Sequence, residues 1–256
     1  MAIFPLNDDA PLKHIRYPYV TIALISICAL VFFYQLSLPE RASEIFVFCY
    51  GAIPAALLGN VQLPPEISKL PVYSTLISSM FLHGNFMHII CNMLFLWVLG
   101  DNVEDLMGHK RYLCFYVLCG IIAAFVHAIS DPMSRIPMIG ASGAISGVVG
   151  AYLILHPRAP IRVLVWFFII WLPSWIVLGC WIAYQFLSVA MATGGAGGGV
   201  AWWAHIGGFV VGTILIVFMR RKDTPILDRN YIKVDHRLLS TRPRNNRHGH
   251  RGPSDC

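Results

Sequence analysis

A serine and several histidines lie in stretches of this sequence that are otherwise apolar. Ser142 stands in the run Gly140-Ala-Ser-Gly-Ala-Ile-Ser-Gly, and His205 begins the run His-Ile-Gly-Gly. A serine hydroxyl becomes a strong nucleophile when a base takes its proton, and a neutral imidazole can be that base. These two residue types therefore predict nucleophilic catalysis, with Ser142 attacking and His205 accepting the proton.

Two further polar residues have a spacing that suits stabilisation of a negatively charged intermediate. His88 and Asn92 are four residues apart, so on a helix they share one face and lie about 6 Å apart along the axis. Both side chains can donate hydrogen bonds to an oxyanion, as can the backbone N–H of Ser142. Asp101 and Asp131 lie at other depths, so the sequence predicts a dyad without an acidic third member.

Small residues recur beside the serine and the histidine. Gly143, Gly147 and Ala151 are four residues apart, and Gly208 and Gly212 follow His205 at i+3 and i+7. Such stripes let membrane helices approach closely, and a Ser–His hydrogen bond between two helices needs that approach. Glycine stripes alone are more typical of plain helix packing than of a site. The serine and histidine beside them favour a functional site.

The composition predicts a membrane protein. Hydrophobic residues make up 57% of the 256 residues and charged residues only 12%, where soluble domains are near a quarter charged. Residues 163–219 contain no Asp, Glu, Lys or Arg, and about 20 apolar residues are enough for one span. The expected fold class is all-α, a polytopic bundle of six transmembrane helices.

The six spans are predicted at about residues 19–36, 80–100, 112–130, 137–155, 174–191 and 202–219. Residues 1–18 form a cytoplasmic N-terminal segment, 19–219 the membrane domain, and 220–256 a basic tail whose polar composition predicts disorder. The apolar run 163–172 is interpreted as an interfacial arm or a tilted extension of the fifth span. The glycine-rich residues 194–199 are interpreted as a flexible outer loop.

Lysine and arginine set the expected orientation, because they are enriched in cytoplasmic loops. An N-in, C-in arrangement places three basic residues in the outer loops and six in the inner segments, without counting the tail. The inner ones are Lys13, Arg16, Lys110, Arg111, Arg158 and Arg162, and the outer ones Arg41, Lys69 and Arg135. This orientation brings His88, Ser142 and His205 to one depth near the outer surface.

Taken together, these motifs resemble the rhomboid family of intramembrane proteases over about residues 75–219. They are His83-Gly-Asn-Phe-Met-His88-Ile-Ile-Cys-Asn92, then Gly140-Ala-Ser142-Gly, then Ala204-His205 with Gly208 and Gly212. The resemblance implies a serine endopeptidase that cleaves transmembrane segments of other proteins near their outer end. It also implies a Ser142–His205 dyad, an oxyanion site at His88 and Asn92, and His83 in the active-site cavity. The glycines that would pack the helices around it are Gly140, Gly143, Gly147, Gly208 and Gly212.

The sequence departs from the family pattern at two places. Many relatives carry an aromatic residue that stacks on the base where this chain has Ser146. Some carry a Trp-Arg pair where this chain has Ser74 and Thr75. These differences leave open how His205 is oriented and how the first loop is anchored.

Three other functions are compatible with polar residues in a membrane bundle. A catalytically silent rhomboid-like protein would bind or escort membrane proteins, but such relatives usually lose the serine or the histidine. A haem-binding cytochrome would use paired histidines, and a small transporter would line a path across the bilayer.

His127 is interpreted as a packing or cavity histidine, with a direct role as the alternative.

No cofactor, metal or nucleic acid is expected. The seven cysteines form no CxxC pair, and the basic tail has no regular interleaving of aromatic residues. The expected partners are the lipid bilayer and the transmembrane helices of substrates. A bacterial inner membrane is the expected location, with the membrane of an organelle as the alternative, and the substrate and the oligomeric state are left open.

Overall fold

A computed structural model describes residues 3–192 and 201–227 of the chain, in which nine α-helices and three strands are formed. The predicted glycine-rich loop and most of the predicted basic tail lie outside the described residues. The helices are α1 (Tyr19–Ser37), α2 (Glu40–Tyr50), α3 (Pro54–Leu57), α4 (Thr75–Ser78), α5 (Phe86–Met107), α6 (His109–Ser130), α7 (Ser142–Leu155), α8 (Ser174–Ala192) and α9 (Trp202–Met219). Short 3-10 turns at Val72–Ser74 and Ser79–Phe81 flank α4.

Five helices, namely α1, α5, α6, α8 and α9, are long and apolar enough to cross a membrane. The helix at the predicted fourth span, α7, is apolar but has only 14 residues. Large apolar side chains such as Leu30, Phe186 and Phe218 are exposed on the outside of the bundle, as expected of a surface that faces lipid. The prediction of a polytopic helical membrane bundle is confirmed.

The helix α7 lies at the centre of the bundle. It packs against α5, α6, α8 and α9, and all of its residues from Ala144 to Tyr152 are buried. A helix that is apolar on every side is typical of a fully enclosed position. The middle of α7 is therefore enclosed by its neighbours, while Ser142 at its start is only partly buried.

Two helices begin later than the predicted spans. The second span was expected from residue 80, whereas α5 starts at Phe86, where the Asn85 side chain accepts a hydrogen bond from the His88 N–H at 2.8 Å. The fourth span was expected from residue 137, whereas α7 starts at Ser142. The preceding residues are extended instead, because Met138 pairs with Ala52 of the first loop.

Residues 163–172 are not a tilted extension of the fifth span, whereas the alternative of an interfacial arm stays a prediction. They lie in an antiparallel hairpin of β2 (Pro160–Val165) and β3 (Phe168–Pro173), and β1 (Ile3–Asp8) completes a three-stranded sheet in the order β1-β2-β3. β-Branched and aromatic residues, which favour strands, dominate this run. The sheet is an addition to the helical bundle that the sequence analysis did not predict.

Buried acidic groups near the far ends of α5 and α7, away from Ser142, hold the first residues of the chain and the start of α1. Glu104 is fully buried, and its carboxylate accepts hydrogen bonds from the N–H groups of Val20 and Thr21 at 2.9 and 2.8 Å. It also accepts from the Thr21 hydroxyl at 2.8 Å and contacts His109 Nδ1 at 2.5 Å. Since both oxygens are engaged, Glu104 fixes the start of α1 against α5.

Two more carboxylates complete this region, which we call the acidic cluster (Asp8, Glu104 and Asp105). Asp105 accepts from three consecutive backbone N–H groups, those of residues 13–15, at 2.6–2.9 Å. Asp8, the last residue of β1, accepts from Asn102 Nδ2 at 2.8 Å and from the Tyr152 hydroxyl at 2.5 Å. Burial raises the pKa of Asp8 to about 7, although the hydrogen bond from Tyr152 acts in the opposite direction.

Candidate active site

Ser142 and His205 are in direct contact. Ser142 is the first residue of α7 and His205 lies in the first turn of α9, and the distance from His205 Nε2 to Ser142 Oγ is 2.8 Å. This is a normal hydrogen-bond length. The two residues that the sequence analysis paired across 63 positions therefore meet in the geometry that a base and its nucleophile need.

The glycines beside the pair allow α7 and α9 to touch through their backbones. A Cβ atom added at Gly208 would lie 2.0 Å from the carbonyl oxygen of Gly143, and one added at Gly212 would lie 2.1 Å from that of Gly147. Neither position can carry a side chain unless the helices separate. The small residues thus set the interhelical distance that the Ser142–His205 hydrogen bond requires.

The start of α7 provides backbone donors next to Ser142 Oγ. The first N–H groups of a helix have no partner within it, and here the helix has no side-chain cap. They carry the partial positive charge of the helix N-terminus. A helix of 14 residues is also about 10 Å shorter than the hydrocarbon core is thick, so Ser142 need not lie at the membrane surface.

His88 lies beside the same segment. A Cβ atom at Gly140, where φ is +115°, would meet His88 Nε2 at 2.6 Å and Ser142 Oγ at 3.8 Å. The ring nitrogen and the hydroxyl therefore flank one small space, which glycine leaves open. His88 Nδ1 accepts a long hydrogen bond of 3.4 Å from the Gly84 N–H, which leaves Nε2 free to act as a donor.

Asn92 is buried one turn further along α5, and its Nδ2 donates to the carbonyl of His88 at 2.9 Å. The side-chain amide thus holds to its own helix rather than to Ser142. Since Nδ2 carries two hydrogens, one of them remains for another acceptor.

His83 is more enclosed than expected of a residue that lines an open cavity. Only 1% of it is exposed, and its ring lies 5.1 Å from that of His88, edge to face. Its backbone is held by the Gln35 side chain of α1, with the His83 N–H donating to Oε1 at 3.2 Å. Within the described part of the chain, neither ring nitrogen of His83 has a hydrogen-bond partner.

Ser146 and His127 lie near the pair without touching its reactive atoms. The Ser146 hydroxyl donates to the carbonyl of Ser142 at 2.6 Å, and its Cβ would be 3.2 Å from a side chain at Gly208. His127 is close enough to His205 to interact with it electrostatically. The interpretations of Ser146 as a helix-packing serine and of His127 as a packing or cavity histidine stay predictions.

Sequence reasoning missed one residue that touches the pair. Gln185 of α8 is buried, and its Oε1 lies 2.8 Å from His205 Nδ1. The available signal was that Gln185 carries the sole side-chain amide in the otherwise apolar sequence of α8. A polar group at membrane depth needs a partner.

This geometry defines a class of protein: a polytopic helical membrane protein with a serine and a histidine hydrogen-bonded inside the bundle. Comparison with known proteins gives the family, since the rhomboid domain matches residues 71–222, more than half of the chain. The chain belongs to the rhomboid family.

The relatives are spread over several organisms. The mitochondrial Rhomboid protein 1 of Saccharomyces cerevisiae is 30% identical over 188 residues, covering 66% of this chain and 51% of its own. The human mitochondrial presenilin-associated rhomboid-like protein is 24% identical over 185 residues, covering 69% and 46%. RHOMBOID-like protein 5 of Arabidopsis thaliana is 37% identical over 78 residues, covering 30% and 25%.

Family membership gives the chain an intramembrane-protease type of fold and makes it an integral membrane protein. The chain spans about half the length of the yeast and human relatives. These relatives are mitochondrial by name, so they do not support the expected bacterial inner membrane.

Proposed function

We propose that this protein is an intramembrane serine endopeptidase that cleaves transmembrane segments of other membrane proteins near one end. The observation that carries the proposal is the 2.8 Å contact between His205 Nε2 and Ser142 Oγ at the start of a short, buried helix. A helix-packing role alone would explain the glycines but not a base placed on a hydroxyl.

The reaction follows from the atoms present. Ser142 Oγ bonds to the carbonyl carbon of the substrate while His205 Nε2 takes the hydroxyl proton, and the carbonyl electrons move to oxygen. As the intermediate collapses, the C–N bond breaks and the leaving amine receives the proton from Nε2. Water then repeats the sequence on the acyl-enzyme, which releases the new carboxyl terminus and restores the serine.

The oxyanion needs hydrogen-bond donors aimed at it. We assign this role to the N–H of Ser142, to His88 and to the free hydrogen of Asn92. Donors fixed in advance in a low-dielectric site stabilise the developing charge without reorganisation. His83, stacked edge to face on His88, would hold that ring in place.

The substrate class follows from the position of Ser142 within the bundle. A transmembrane helix hides its peptide bonds in its own hydrogen bonds, so the cleaved stretch must unwind to reach Oγ. Residues that weaken a helix, such as glycine, should therefore favour cleavage. Lipid and substrate helices are the partners of this proposal.

We also propose an N-in, C-in orientation, a cytoplasmic segment of residues 1–18, a membrane domain of residues 19–219 and a basic cytoplasmic tail of residues 220–256. Cysteines introduced by Ser68→Cys and Lys222→Cys, in a cysteine-free background, would test it. An impermeant maleimide applied outside intact cells should label the first and spare the second. Labelling of the second instead would reverse the orientation.

The enzymatic proposal is tested with purified protein in liposomes that contain a fluorescent model transmembrane substrate. Native protein should cleave it, and Ser142→Ala and His205→Ala should each lower the rate by about 10⁴-fold. Cleavage that survives Ser142→Ala would reject the proposed nucleophile. Tight binding of the substrate by native protein without cleavage would favour the catalytically silent binding or escort function.

A further inference from the structure

The imidazole of His205 is held from its far side by a helix that carries neither the nucleophile nor the base. Gln185 of α8 is 3% exposed, and its Oε1 lies 2.8 Å from His205 Nδ1. On the other side of the ring, Nε2 lies 2.8 Å from Ser142 Oγ. Three side chains from three helices thus form one line of hydrogen bonds.

The orientation of the Gln185 amide decides which proton moves along this line. Its Nε2 donates to the carbonyl of Trp181 at 3.3 Å, one turn back in α8. The oxygen therefore faces His205, and an amide oxygen can only accept. His205 Nδ1 must carry the proton, so Nε2 keeps a lone pair directed at the serine hydroxyl. This is the tautomer that a general base needs.

Two tryptophan rings pack beside the imidazole of His205. The Trp181 ring lies 6.0 Å from the imidazole at an interplanar angle of 37°, and the Trp202 ring lies 6.1 Å away at 86°. The position four residues after Ser142, where many relatives have an aromatic residue, holds Ser146 and offers no ring. The contacts from α8 and from the start of α9 supply an orientation that α7 does not.

We propose that Gln185 is a positioning residue for the Ser142–His205 pair, which holds His205 in the Nδ1–H tautomer and in the rotamer that meets Ser142. The proposal rests on the proposed protease function for its kinetic consequence, but the tautomer itself does not depend on turnover. Gln185 touches neither substrate nor the reacting atoms. Its effect is exerted through His205 alone.

Two substitutions separate this role from simple packing. Gln185→Leu removes the acceptor and replaces the amide by an apolar side chain of similar size. Gln185→Glu keeps an oxygen at the same distance from the helix, where it can still accept from His205 Nδ1. Ser188→Ala is the matched control, because Ser188 is half-buried three residues further along α8 and its hydroxyl donates to the Tyr184 carbonyl at 2.8 Å. Loss of orientation in a site that needs sub-ångström placement should cost about 10²-fold in rate.

The kinetic experiment measures cleavage in liposomes. Gln185→Leu should lower kcat by about 10²-fold with KM nearly unchanged, because substrate binding does not use Gln185. Gln185→Glu should recover most of the loss, and Ser188→Ala should behave as native. Native kcat in Gln185→Leu, or a loss that Gln185→Glu does not recover, would overturn the proposal.

The spectroscopic experiment needs no activity. Ring ¹⁵N shifts of ¹⁵N-histidine-labelled Ser142→Ala protein, with the His205 signals assigned by comparison with Ser142→Ala/His205→Gln, report the tautomer directly. The Nδ1–H form should dominate and should give way to a mixture when Gln185→Leu is added. A dominant Nε2–H form before that change would overturn the proposal even if the protein with Gln185→Leu added failed to fold. Because Ser142 is already replaced, failure of the protease hypothesis and failure of the Gln185 hypothesis give different results.

Discussion

Two groups of buried polar side chains lie at opposite ends of α5 and α7, and they are built differently. The acidic cluster uses carboxylates, and Glu104 and Asp105 accept hydrogen bonds from the backbone of the N-terminal segment. The site around Ser142 uses neutral imidazoles, an amide and a hydroxyl. There, neither ring nitrogen of His83 has a hydrogen-bond partner among the described residues.

The acidic cluster stabilises the fold, whereas the groups around Ser142 still have hydrogen-bonding capacity for a ligand. A buried carboxylate whose oxygens are all engaged stabilises a structure and has no capacity for another contact. Imidazole and hydroxyl groups with spare donors or lone pairs, placed near a helix N-terminus, suit proton transfer and binding of an anion. Substitutions at the two ends should therefore affect different measurements.

Asn92→Ala should show the largest separation at the Ser142 end. Removal of one oxyanion donor is expected to lower kcat by about 10²–10³-fold, while thermal unfolding in detergent changes little because the backbone of α5 remains paired. Cleavage kinetics in liposomes measure the first and the unfolding temperature the second. Cys91→Ala, at the adjacent position of α5, is the control, and a native rate for Asn92→Ala would remove Asn92 from the oxyanion site.

Glu104→Ala should give the opposite result. The change leaves two backbone N–H groups and the Thr21 hydroxyl without their acceptor, which should destabilise the fold by about 3 kcal/mol. The yield of folded protein and its unfolding temperature should fall, whereas kcat per folded molecule should stay close to native. Glu44→Ala, at an exposed position of α2, should change neither, and a stable but inactive Glu104→Ala would contradict the division.

Gly208→Ala should affect both measurements, because it changes the packing of α7 against α9 as well as the Ser142–His205 contact. Its new Cβ would meet the Gly143 carbonyl at 2.0 Å, so α7 and α9 must separate, at a cost of about 1–3 kcal/mol and with loss of the 2.8 Å Ser142–His205 contact. Gly179→Ala in α8 is the control, since nothing lies within 4 Å of its added Cβ. Equal behaviour of the two variants would mean that close approach of α7 and α9 is not required.

Asp8 should give an effect that is confined to a pH window. Its pKa is about 7 in the folded protein against a usual 3.8, so the folded state binds the proton more tightly between these values. Its contribution to stability is therefore complete below about pH 4 and is lost as pH rises through 7. The unfolding free energy of native protein minus that of Asp8→Asn should fall across this window in a pH series in detergent. A constant difference would contradict the raised pKa.

The sequence was sufficient for features that rest on local pattern. Long apolar runs predicted the bundle, and the motifs around Ser142 and His205 indicated the family. The hairpin in the run 163–172 was not predicted, because apolar strands and apolar helices differ little in composition. Its pairing with residues 3–8 also joins parts of the chain that are far apart in sequence. The helix starts at Phe86 and Ser142 were displaced because caps and long-range pairing, not hydropathy, set them.

The orientation of His205 could not be predicted for a related reason. It depends on Gln185 and Trp181 of α8, which meet the imidazole only when α8 and α9 are packed. The full engagement of Glu104 likewise depends on the path of the N-terminal segment across α5. Residue types can indicate chemistry, whereas hydrogen-bond partners need the fold.

Covalent labelling with a fluorophosphonate tests the central claim most directly, since it needs no knowledge of the substrate. Native protein should form one adduct, which peptide mass spectrometry places on Ser142, and His205→Ala should label far more slowly, because the hydroxyl then lacks its base. A native protein that stays unlabelled at Ser142, or a His205→Ala variant that labels at the native rate, would contradict the assignment of these two residues as nucleophile and base.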